Sequence, residues 1–70
     1  MNLRSISFQD VTFAQAQASW RSAAGLVHDR WDQFLAADAS ARRVTFAAYV
    51  AALDFEAAAA DELCAVARSA

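Results

Sequence analysis

The 70 residues predict an all-α fold: two helices closed into an antiparallel hairpin that completes a helical bundle by oligomerisation or docking. Three observations carry that expectation. Ile6, Phe13, Trp20, Val27 and Phe34 recur every seven residues, which puts large apolar side chains on one stripe of a helix. A second seam, Phe46, Val50, Leu53, Ala57, Ala60, Cys64 and Ala67, is spaced alternately by four and three residues. It stands about 120° out of phase with the first on a straight helix. Finally, the composition is 59% hydrophobic and only 20% charged, more apolar than an ordinary soluble domain.

The first helix is expected from residue 8 to about residue 37. Residues 1–5 read as a frayed start. Ser7 reads as the N-cap, with Asp10 three residues on and with Ile6 and Val11 at the two hydrophobic-staple positions. An acid in the first turn also suits the helix dipole. The main stripe is flanked by Ala16, Ala23, Ala24, Trp31 and Leu35. The opposite side carries Thr12, Gln15, Ser19, Ser22, Asp29 and Gln33. Gly25 costs roughly 1 kcal/mol relative to alanine, yet the seven-residue phase passes through it unchanged. The helix is therefore read as continuous, with Gly25 offering close approach to a neighbour.

A turn is expected at about residues 38–41, although no glycine or proline marks it. Asp38 or Ser40 can cap a second helix, and aspartate tolerates a left-handed backbone better than most residues. The phase difference between the seams is the stronger argument, because a break lets them face each other. The rival is one unbroken helix in which Ala41, Ala48 and Phe55 continue the first stripe. Arg42 and Arg43 favour the hairpin, since they suit the carbonyl end of the first helix better than the start of a second.

The second helix is expected over about residues 41–69, with Arg68 well placed near its end. The expected intramolecular seam is Ile6, Phe13, Trp20, Val27 and Phe34 against Phe46, Val50 and Leu53. A further apolar line runs through Val44, Ala48, Ala51, Ala52, Phe55, Ala58, Ala59 and Val66. One partner helix cannot cover both lines. A partner interface is therefore expected at Val44, Phe55 and Val66, with Leu26 and Tyr49 secondary. The tract Ala57–Ala60 would allow a neighbouring backbone close in.

One domain of this length buries a modest core, worth roughly 3–5 kcal/mol. Cys64 is the only cysteine, so no internal disulfide can supplement it. A net charge of −2 argues against nucleic-acid binding, which needs a basic face. No apolar h-region follows Met1, and Asp54 and Glu56 interrupt the longest apolar run, so neither a secretory signal nor a membrane span is expected. A free thiol in such a chain fits a reducing, cytoplasmic setting.

Catalytic chemistry finds little footing. His28 and Asp32, four residues apart, can share a helix face as a base or half a metal site, but one histidine beside Trp31 reads first as structural. Asp54, Glu56, Asp61 and Glu62 lack the Glu-x-x-His pairing of bundle metal sites, because Ala59 stands three residues after Glu56. Cys64 reads as a small buried hydrophobe. No nucleophile motif, phosphate loop or nucleotide fingerprint is present. The expectation is a non-enzymatic interaction or assembly protein without cofactor or small-molecule substrate, acting with a protein partner. Two alternatives stand beside it. One is a small acidic inhibitor or accessory protein of phage or plasmid type. The other is a metal- or ligand-binding bundle using His28, Asp32 and Glu56 across a dimer.

In size and architecture the chain resembles the secreted helical-hairpin proteins that carry a Trp-x-Gly motif at their turn. Here Trp20 is followed by Arg21 and Ser22, and Trp31 by Asp32 and Gln33. The resemblance implies a hairpin and carries no function over.

Overall fold

The computed structural model describes residues 8–69, and side-chain exposure from residue 10. Helix α1 spans Phe8–Ala36 and helix α2 spans Arg42–Ser69. They pack against each other along their length as an antiparallel hairpin, not as one continuous helix. The expected cap at Ser7 and the staple residue Ile6 lie outside the described residues.

The reversal is held by Asp38. Its carboxylate oxygen accepts the Ala41 N–H at 3.0 Å and the Ser40 hydroxyl at 2.7 Å. The Asp38 carbonyl also accepts the Ala41 N–H at 3.2 Å. Asp38 therefore satisfies a donor that has no partner within the helix, and Ser40 supports the acceptor instead of capping. Both hydrogen bonds hold the Asp38 carboxyl below its ordinary value, the Ser40 bond contributing most. No described residue has positive φ, so the turn is made without the left-handed conformation that an aspartate could have supplied.

The hairpin closes on small residues. Ala23 is fully buried, Ala52 is 3% exposed and Ala16 is 6% exposed, and no other described residue reaches that degree of burial. The expected seam meets only in part: Phe34 does touch Phe46, but the buried line is alanine. Phe46, Val50 and Leu53 are 49%, 39% and 37% exposed, and Phe13 and Trp20 are 36% and 37% exposed. Val27 and Phe34 are half-buried. Alanines on the line of closest approach let two backbones come together, whereas rings must lie beside that line. The large stripe of α1 therefore flanks the closure, one helical turn away from Ala16 and Ala23.

Gly25 is exposed, and a Cβ placed on it would meet nothing within 4 Å. Close approach of α2 is not what this glycine provides. The described hairpin measures 55 × 25 × 11 Å across its Cα atoms, so it is one helix thick. A stable domain normally needs a second layer to enclose a core.

Candidate functional site

Two unlike faces result from this single layer. Stepping four residues at a time round α1 from the Ala16 and Ala23 line meets Phe13, Trp20, Val27 and Phe34, then Gln17, Ala24 and Trp31, then Arg21, His28 and Leu35 at the margin. The same step round α2 from Ala52 meets Tyr49, Glu56 and Leu63, then Phe46, Leu53, Ala60 and Ala67, then Arg43, Val50, Ala57 and Cys64. In antiparallel helices these steps turn toward the same side. Ring contacts confirm it: Phe34 meets Phe46 at 5.5 Å between centroids and Trp31 meets Tyr49 at 5.0 Å. Going three residues back on α1 moves the contact three residues forward on α2, as antiparallel register requires.

Trp31 also touches Phe34 at 5.5 Å, and Phe46 touches Tyr49 at 6.3 Å, so four rings form a continuous cluster near the turn. Tilted pairs at such distances contribute about 0.5–1.5 kcal/mol each beyond their buried area. The cluster is nonetheless open on one side, because Trp31 remains 39% and Phe46 49% exposed. Of the ten exposed large hydrophobic residues among those described, seven share this face: Phe13, Trp20, Trp31, Leu35, Phe46, Val50 and Leu53. Such concentration distinguishes a face that seeks cover from the scattered apolar residues of any surface.

The opposite face is weaker. On α1 it carries Thr12, Ser19, Gln33, Gln15, Ser22 and Asp29, with half-buried Leu26. On α2 it carries alanines together with Val44, 71% exposed, and Phe55, 58% exposed. Of the residues expected to meet a partner, Val44 and Phe55 thus stand on this smaller patch. Val66 is half-buried on the Ala52 line, and Tyr49 is half-buried against Trp31. Sequence reasoning placed the aromatic stripe inside the hairpin. What it overlooked is that the two large seams share one side, a fact visible only once the alanines of each helix are seen to meet.

Cys64 is an exposed free thiol, not a buried hydrophobe. Its carbonyl accepts the Arg68 Nε–H at 3.4 Å. His28 and Asp32 are both exposed on α1, and Glu56 is half-buried on α2. Among the described residues, no three His, Cys, Asp or Glu side chains gather where they could hold a metal ion, and no pocket is formed. No helix is long and apolar enough to cross a membrane. Neither a family model, nor a curated protein, nor a solved structure matches this chain.

Proposed function

We propose that this chain is a non-enzymatic protein-interaction or assembly module whose working part is the aromatic face of the hairpin. One observation carries the reading. Among the described residues the most buried side chains are three alanines, Ala16, Ala23 and Ala52, while Phe13, Trp20, Trp31, Phe46, Val50 and Leu53 stay more than a third exposed on one side. Burying a large apolar side chain is worth about 1.5–3 kcal/mol, whereas alanine contributes far less. A third to a half of the apolar surface of these side chains therefore remains to be buried by a second layer on that face. A face two helices wide and α2 long is about 20 Å by 40 Å, close to the roughly 800 Å² per partner of a standard interface.

The test uses the purified chain across a concentration series, with thermal melts followed by circular dichroism and binding of an apolar dye such as ANS. An open face gives a concentration-dependent midpoint, or dye binding with a shallow melt. A monomer that melts cooperatively at every concentration and binds no dye would refute the reading.

A further inference from the structure

We infer that the layer covering the aromatic face is a second copy of this chain, laid head to tail so that each α2 runs antiparallel over the other α2. This deepens the interaction reading above and rests on it. The seam Phe46, Val50, Leu53, Ala57, Ala60, Cys64 and Ala67 has the alternating four-and-three spacing of a coiled-coil strip. Every member is exposed except half-buried Ala60; α1 reaches the strip at Phe46, through the Phe34 ring, and leaves the rest with an open side.

The strip reads with the same spacing in both directions about a centre between Leu53 and Ala57. That centre is also the middle of α2, Arg42–Ser69. Turned about it, Leu53 of one copy faces Ala57 of the other, Val50 faces Ala60, and Phe46 faces Cys64. Large side chains fill the first half and small ones the second, so each pairing sets a large residue into a small one. A two-fold interface must be complementary to itself, and this arrangement meets that condition.

Charge points the same way. The turn end carries Arg42 and Arg43 with Asp38, and the open end carries Asp10, Asp61 and Glu62 with Arg68. Head-to-tail stacking brings these unlike ends together. Turn-to-turn stacking would instead place two arginine pairs side by side and set Phe34 and Trp31 on Phe46 and Tyr49, ring upon ring. The resulting assembly is a four-helix bundle with the aromatic clusters at opposite ends.

The unsubstituted chain is weighed first by sedimentation equilibrium or native mass spectrometry, with two copies expected. Orientation is then read from spin labels on Ala39→Cys in a Cys64→Ala background, because Ala39 lies exposed in the turn. Head-to-tail packing separates the two labels by roughly 40 Å, the length of α2, whereas turn-to-turn packing keeps them within about 20 Å. Ala57→Phe, at an exposed position, should weaken association at least roughly tenfold by overfilling the small half. Adding Leu53→Ala should restore it, since the large and small partners are then exchanged. A short label distance, a mass other than two copies, or no recovery in the double variant overturns the inference. A monomer that binds ANS and melts without cooperativity removes only the second copy and leaves the interaction reading. A cooperative monomer that binds no dye removes both.

Discussion

Gly25→Ala isolates one physical effect in this molecule. Gly25 sits in the middle of α1, has ordinary helical φ, and points where a Cβ would meet nothing within 4 Å. It shares its seven-residue phase with Ala18 and Asp32, on the side of α1 away from both α2 and the aromatic face. A methyl group there creates no clash and gains no packing. What remains is intrinsic helix propensity, in which glycine is about 1 kcal/mol less favourable than alanine. For a domain of this size, 1 kcal/mol raises Tm by about 4–8 °C. In a two-copy assembly both chains gain, so the stabilisation is about 2 kcal/mol per assembly. The assay is a circular dichroism melt of both proteins at matched concentration, beside sedimentation of each. The expected result is a higher Tm with an unchanged mass. An unchanged or lowered Tm, or a loss of association, would mean that a neighbouring backbone packs against Gly25. The contact surface would then lie on the other side of α1, and the face assignment would fall.

Four further outcomes follow from the same geometry. Phe46→Glu places a charge on the aromatic face and should weaken self-association by roughly a hundredfold, while Phe55→Glu on the opposite face leaves the mass unchanged; native mass spectrometry of the two variants checks the contrast. Ala23→Leu forces a large side chain into the fully buried closure and should destabilise the fold by about 1–3 kcal/mol, measured by urea unfolding. Because the folded Asp38 carboxyl loses its proton at a lower pH than the unfolded one, its cap contributes fully above the ordinary aspartate value of 3.8. That contribution fades as pH falls through the folded value, and Asp38→Asn should flatten this part of the pH–Tm curve. Finally, the exposed Cys64 thiol should react more slowly with a maleimide as protein concentration rises, because the second copy covers it; a rate independent of concentration would count against that cover.

The sequence by itself determined the helical character and favoured the reversal. Two long amphipathic patterns out of phase, with arginines at the start of the second, favour two helices over one, although an unbroken helix would also carry Ala41, Ala48 and Phe55 on the first stripe. Asp38 and Ser40 were both legible as caps; the structure gives the role to Asp38, whose carboxylate accepts the Ala41 N–H. Which side chains meet was legible only at Phe34 and Phe46, which lie on the two expected seams and do touch. Phe13, Trp20 and Phe34 dominate any reading by hydrophobicity, so they were expected inside, against Phe46, Val50 and Leu53. Tertiary structure decided otherwise, because two helices joined by a short turn approach most closely where their side chains are smallest. Ala16, Ala23 and Ala52 have no strong hydrophobic signal, yet they set the rotation of each helix about its axis. That rotation brought both aromatic seams to one side and left them open. A pattern along one helix reports that a stripe must be covered, but only the packing of the two helices shows that each covers the other's in part, as Phe34 does Phe46, and leaves one side open.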